Sequence, residues 1–178
     1  MTQSAPVLWF TGLSGAGKTT IATEIRNRLH RNGVRVELLD GDEIRSSLSS
    51  DLGFSRKDRD LQVQRIGWIA NLLSRNNVVV LVSAISPYRE ARNKALAGLQ
   101  RGVEIFIDAP LETVIARDTK GLYQKAKSGE IKGLTGVDDP YEYPEFPDLR
   151  INTAEKSLQE SVEEVLTLLV KEGVIESV

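Results

Sequence analysis

The chain has 178 residues, 40% of them hydrophobic and 27% charged, with 23 Lys plus Arg against 25 Asp plus Glu and a net charge of -2. That is the profile of one soluble domain, without the basic excess of a general nucleic-acid binder. With no cysteine and a single histidine, His30, disulfides, thiolate nucleophiles, cysteine-bound clusters and multi-histidine metal sites are excluded. The longest apolar run, Val78 to Val82, is too short to span a bilayer, and the N-terminus lacks a signal-peptide pattern. The expectation is one cytoplasmic domain over residues 1–178, with no membrane or nucleic-acid partner.

No internal repeat or low-complexity stretch interrupts the chain. Pro6 to Thr11 reads as a short apolar strand ending in a glycine loop. A helix follows from Lys18 to about Arg31, with Ile21, Ile25 and Leu29 on one face, and Asn32-Gly33 stops it. Val34 to Leu39 reads as a buried strand. Leu61 to Arg75 reads as a second helix, with Ile66, Ile69, Ala70 and Leu73 inward. Val78 to Ser83 has the continuous apolar character of a central parallel strand. Glu90 to Leu99 reads as a helix, Glu104 to Asp108 and Leu149 to Asn152 as strands. Leu158, Val162, Val165 and Leu169 mark a closing amphipathic helix. This alternation predicts an α/β fold, a parallel sheet with helices on both faces joined by right-handed crossovers. The stretch from about 118 to 147 breaks the rhythm: Gly121, Gly129, Gly133, Gly136, Pro140, Pro144 and Pro147 leave no room for a long element in its second half. An irregular insert of that length reads as a lid.

Gly12-Leu13-Ser14-Gly15-Ala16-Gly17-Lys18-Thr19 fits G-x-x-x-x-G-K-[ST] between a predicted strand and a predicted helix, which is the context the motif requires. Such glycines let backbone N–H groups turn inward as a nest for anionic oxygens, and the helix N-terminus adds partial positive charge. Lys18 can reach β- and γ-phosphates, and the Thr19 hydroxyl can ligate Mg²⁺. The motif implies nucleotide binding without naming the reaction.

The strand ending at Leu39 runs into Asp40-Gly41-Asp42, with Arg45 one turn on. Ligands of open α/β sheets bind at this strand edge, so a carboxylate there can take a proton from an attacking hydroxyl or hold Mg²⁺ through water. Asp42 is the expected base; the alternative is that these acids cap the next helix. Phe54, Arg56, Arg59 and Arg65 offer a stacking ring and anion-binding guanidiniums, with a solvated helix face as the alternative for Arg56 and Arg65. Ser86, in Ser86-Pro87-Tyr88-Arg89, is a hydrogen-bonding residue, a phosphate acceptor or a plain Ser-Pro turn; no second histidine exists to activate it. Arg117, Lys120, Lys125, Lys127 and Lys132 make the front of the insert basic, suited to closing over polyanions, although Lys125 and Lys127 read as solvated. Asp138, Asp139, Glu142, Glu145 and Asp148 have no basic partner in their own window and read as a solvated loop rather than a metal site.

Taken together, GLSGAGKTT at Gly12–Thr20, LDGD at Leu39–Asp42 with Arg45, LGFSRKDR at Leu52–Arg59, ISPYR at Ile85–Arg89, DTKGLY at Asp118–Tyr123 and GEIKGLTGVDDPYE at Gly129–Glu142 resemble the adenylyl-sulfate kinase (APS kinase) family. The segments stand in the family's order over most of the chain, and the last two are the specific ones. The resemblance implies a P-loop NTPase-type fold, usually homodimeric, and transfer of the γ-phosphoryl group of MgATP to the 3′-hydroxyl of adenosine 5′-phosphosulfate (APS), giving ADP and PAPS in sulfate activation. It implies Lys18 and Asp42 as catalytic residues, Asp42 being the base, with Ser86 matching the serine described as a phosphoserine intermediate. The loop from Gly12 to Thr19, with Thr20 and Arg117, would bind ATP, and Thr19 the Mg²⁺. Arg45 and Arg59 would hold the phosphosulfate and Phe54 the adenine. Asp40, Gln62, Ile85, Ser86, Lys120 and Leu134 complete the substrate set. Three positions depart from the family's pattern: Leu61-Gln62 where Glu-Asn is common, Leu134 for a lid phenylalanine, and Ala84 for a phenylalanine before ISPYR.

Overall fold

The computed structural model describes residues 4–175. Five strands, β1 (Val7–Thr11), β2 (Val36–Asp40), β3 (Val79–Ser83), β4 (Gly102–Asp108) and β5 (Leu149–Asn152), form one sheet in the order β2-β3-β1-β4-β5. Every pairing in it is parallel. All residues of β1 and β3 are buried, as their unbroken apolar sequences require of strands covered on both faces. Successive β1 side chains alternate between two cores. Leu8 and Phe10 join Ile21, Ile25, Leu29, Val162, Val165 and Leu169, from helices α1 (Lys18–Arg31) and α7 (Leu158–Lys171). Val7 and Trp9 join Val63, Ile66, Ala70, Ala91 and Ala95, from α3 (Arg56–Ser74) and α4 (Arg89–Ala97). Three shorter helices complete the fold: α2 (Gly41–Ser46), α5 (Leu111–Arg117) and α6 (Leu122–Lys127).

Several boundaries differ from the sequence reading. Helix α3 starts at Arg56, five positions before Leu61, because its first turn is wholly polar and capped: the Ser55 hydroxyl accepts from the Asp58 N–H at 3.2 Å. Helix α5 was not foreseen, and β4 begins at Gly102 rather than Glu104. No helix among the described residues is long and apolar enough to cross a membrane.

From α6 to Pro147 the chain is irregular, as its glycines and prolines demand, yet its acids are not a solvated run. Asp138 accepts from the Gly133 and Leu134 N–H groups, both at 2.7 Å, and these amides hold its carboxyl below the usual range. The Tyr88 hydroxyl donates to Asp139. The Glu142 carboxylate accepts from the Arg89 N–H at 2.8 Å, capping α4, whose preceding residue Tyr88 supplies no side-chain cap. Asp148 accepts from the Glu104 N–H at 2.7 Å. Their partners stand outside the acidic window, just before it in the lid for Asp138 and on Tyr88, α4 and β4 for the others, which is why the local sequence read as unpaired.

Candidate active site

The residue after β1 is Gly12, at φ +150°, and a Cβ there would lie 2.3 Å from the Ile107 carbonyl oxygen. Only glycine brings the loop this close to β4. Gly17, at φ +104° in the left-handed region, turns the chain into α1. The Lys18 side chain is folded back into the loop it follows: Nζ donates to the carbonyls of Gly12 at 2.9 Å and Leu13 at 2.8 Å. Burial pushes its pKa down to about 7, the charge of Lys120 pushes the same way, and Asp42 and Asp40 oppose both.

Thr19 opens α1 beside the ends of two strands. Its hydroxyl donates to Asp40 Oδ2 at 2.8 Å and lies 2.8 Å from Ser83 Oγ. The other Asp40 oxygen accepts from the Asp42 and Glu43 N–H groups at 2.9 and 3.3 Å. Asp40 therefore caps α2 and touches Thr19 at once. Asp40 and Ser83 are paired in the β2–β3 register, so three hard oxygens meet at this strand edge. That donor chemistry fits Mg²⁺, which takes a few protein oxygens and fills the rest of its shell with water and phosphate. No group of three or more His, Asp or Glu side chains among the described residues forms a separate metal site. Thr20 is exposed on the first turn of α1. Arg117, at the end of α5, donates to the Thr153 carbonyl at 2.6 Å and its hydroxyl at 3.1 Å; that hydroxyl in turn donates to the Ala16 carbonyl at 2.8 Å. Arg117 thus flanks the loop, together with Thr153, a residue that the sequence reading missed.

Across the mouth, Asp42 is exposed and ion-paired with Lys120. Both charges lie near enough to act on Lys18. Phe54 is two-thirds exposed and two guanidiniums gather on it, Arg45 at 4.8 Å and Arg59 at 5.6 Å from the ring centroid. Arg45 is bonded to the Gly53 carbonyl at 2.6 Å; partial burial, then the like charge of Arg59, lowers its pKa. Arg59 is buried and donates in three directions: to the Phe54 carbonyl at 2.9 Å, the Thr135 hydroxyl at 2.9 Å and the Gly133 carbonyl at 2.6 Å. It fixes the lid on either side of Leu134, which is itself buried in the main core. Gln62 donates to the Gly41 carbonyl at 2.7 Å, while its Oε1 is buried with no partner among the described residues.

The structure does not bring every expected residue to the cleft surface. Ser86 is buried, and its hydroxyl accepts from the Trp9 indole N–H at 3.0 Å. Ile85 contributes a carbonyl that accepts from the Thr11 hydroxyl at 2.7 Å. Arg65 lies apart, in a bidentate pair with Asp51 at 2.6 and 2.8 Å, and Arg56 stacks on Tyr88 at 4.3 Å. His30 is exposed at the far end of α1. Besides Thr153, the sequence reading missed Ser83, Tyr123, whose hydroxyl donates to the Ser14 carbonyl at 2.8 Å, and Tyr141. Ser83 was findable, as the last residue of a central strand.

The loop that leaves the central strand β1, with Lys18 at the head of α1 and a carboxylate and an exposed aromatic ring across the strand edge, defines an ATP-dependent P-loop kinase. The family model for adenylylsulphate kinase matches residues 4–152, and the chain belongs to that family. It is 51% identical to the adenylyl-sulfate kinase of Picosynechococcus over 175 residues, 98% of this chain and 99% of that one. Among solved structures, the APS kinase CysC of Mycobacterium tuberculosis in complex with AMPPNP and APS superposes with a TM-score of 0.89 at 42% identity, over 94% of this chain and 99% of that one. A hexameric APS kinase from Thiobacillus denitrificans matches at a TM-score of 0.73 and 35% identity, over 98% of this chain and 30% of that one.

Proposed function

We propose that this adenylyl-sulfate kinase works as one catalytic domain with residues 118–147 as its lid, and that it phosphorylates APS at the ribose 3′-hydroxyl. The amides of Gly12 to Thr19 cradle the triphosphate, and Lys18 leaves its carbonyl partners to meet the β- and γ-oxygens. Thr19, with Asp40 beside it, would hold Mg²⁺, which when bound neutralises charge on those oxygens. Thr20 and Arg117, with Thr153, keep the ATP side. Phe54 stacks the adenine of APS, Arg45 and Arg59 take its phosphosulfate, and Gln62 Oε1 accepts a hydrogen bond from the substrate. Ile85, Ser86 and Leu134 back that half of the cleft. Asp42 accepts the 3′-hydroxyl proton as the ribose oxygen bonds to the γ-phosphorus, the bond to the β-bridging oxygen breaks, and ADP leaves. Lys120, paired with Asp42 before substrates arrive, turns to the phosphates as they bind. Transfer is direct; Ser86 serves through position rather than as a carrier of phosphate, because its hydroxyl is held by Trp9.

The observation that carries this reading is the placement of Asp42: an exposed carboxylate just past the β2 edge, ion-paired with Lys120 and close enough to Lys18 to act on its charge. The M. tuberculosis relative solved with AMPPNP and APS supports the two-substrate cleft, and the hexameric relative supports a self-associated working form, proposed here as a homodimer. A coupled assay for PAPS with Asp42→Ala tests the chemistry. Loss of a general base predicts turnover lower by about 10²–10⁴-fold, with ATP binding retained. Undiminished PAPS formation removes Asp42 from its role. Turnover by the unaltered chain of a nucleoside monophosphate or sugar acid but not APS overturns the acceptor.

A further inference from the structure

Helix α4 carries an arginine, Arg92, whose side chain is fully buried between the sheet and the lid. Its guanidinium reaches three separate parts of the chain. Nε donates to Glu104 Oε1 on β4 at 3.0 Å, Nη1 to the Ser86 carbonyl at 2.6 Å, and Nη2 to the Glu142 carbonyl at 2.6 Å. Its Cζ lies 5.6 Å from the Tyr141 ring centroid. Apolar packing would fill such a place at no loss of stability, since desolvating a buried ion pair offsets most of what the pair gains. The residues that it ties together explain the arginine better than stability does.

Those residues are the wall behind the acceptor and the rear foot of the lid. Ser86 stands at φ +47°, a conformation that a non-glycine residue keeps only where its surroundings over-determine it. The surroundings are on hand: Arg92 on its carbonyl, Trp9 on its hydroxyl and Thr11 on the carbonyl of Ile85. The lid foot is bonded to the same loop. Glu142 donates its N–H to the Pro87 carbonyl at 2.8 Å, and the Tyr141 hydroxyl lies 2.8 Å from Thr11 Oγ1. Thr11 directly precedes Gly12, so this unit sits on the strand that carries the phosphate loop.

We propose that Arg92 is a positioning residue for the acceptor: it touches neither substrate, and it locks residues 85–87 and 141–142 into one block, so that the wall and the lid foot present a single preformed surface to APS. This rests on the kinase reading above and adds to it a residue outside the cleft. A planar fork with donors in three directions is needed; lysine, a point charge with one nitrogen, holds at most part of the block.

The test is steady-state kinetics of Arg92→Lys and Glu104→Gln, the second keeping an acceptor for Nε while removing its charge and guarding against misfolding of the first. The expected result is a rise in KM for APS of about tenfold or more in Arg92→Lys, a smaller rise in Glu104→Gln, and KM for ATP within about twofold in both, the tenfold corresponding to about 1.4 kcal/mol. If both Michaelis constants move together, or neither moves while the active fraction falls, Arg92 is structural only and the proposal is overturned. Should Arg92→Lys not fold, Glu104→Gln decides by the same criterion. Absence of APS turnover in the unaltered chain would instead overturn the kinase reading.

Discussion

Lys18 gives the ligand-free protein a proton to gain. Its ammonium is buried against the Gly12 and Leu13 carbonyls, and its pKa is pushed from 10.5 to about 7, a disfavouring of the cation of about 5 kcal/mol at 1.4 kcal/mol per unit. A polyphosphate in the loop favours the cation, so the pKa in the complex lies above that of the free protein. Between the two values the complex binds more protons than its components, and nucleotide affinity falls as pH rises, by up to about tenfold per unit above pH 7. At pH 8 a group titrating near 7 is about one-tenth protonated, so MgADP binding takes up about 0.9 proton; near pH 5.5 the uptake through Lys18 vanishes, because the side chain is already charged. Nucleotide phosphates are themselves largely ionised by pH 8, which leaves the protein as the source of the effect. Calorimetric titration of MgADP at pH 8, in buffers of differing ionisation enthalpy, reads the number directly. Lys18→Arg keeps its charge throughout and should show almost no uptake. Uptake below about 0.2 proton in the unaltered protein, or equal uptake in Lys18→Arg, would refute the reasoning.

Two further outcomes follow from single positions. Gly12→Ala sets a Cβ 2.3 Å from the Ile107 carbonyl oxygen at φ +150°; strain and overpacking, at about 1–3 kcal/mol each, predict a clear fall in thermal stability together with loss of nucleotide binding, and a melting temperature within about 2 °C of the original would contradict it. Phe54→Ala removes the exposed ring beneath Arg45 and Arg59; at about 1–3 kcal/mol per stacked base, KM for APS should rise roughly 5- to 150-fold with KM for ATP unchanged, and an equal change in both would place the adenine elsewhere.

What the sequence made legible was whatever is periodic or local. The apolar strands, the loop with its helix, and the amphipathic faces of α1 and α7 need only neighbours in the chain, and each formed within two residues of where its sequence indicated. The start of α3 escaped because Arg56 to Asp60 are all charged and hold no apolar repeat; the signal lay instead in Ser55 and its bond to the Asp58 N–H. Helix α5 escaped because seven residues make barely two turns. In the site, the loop and the stretch around Asp42 and Arg45 follow from strand-edge logic. Thr153, Tyr123 and Tyr141 do not, since each touches the loop or its strand from more than 100 positions away. The acids from Asp138 to Asp148 read as unpaired because most of their partners are tyrosine hydroxyls or backbone N–H groups, which carry no charge to match, and Ser86 gave no hint that its hydroxyl turns to Trp9.

The grip of Arg59 on Phe54, Gly133 and Thr135 has a thermodynamic corollary. A guanidinium has five N–H groups; three are engaged here, with Asp139 4.0 Å from Nε, and the remaining two are those the proposed phosphosulfate contact would use. By then the side chain has surrendered its rotamer entropy to the protein itself, so an anion docking there meets donors already aimed and fixed. On the proposed role of Arg59, selectivity there would be a matter of fit between a rigid fork and the oxygen spacing of its visitor, with little room for induced adjustment.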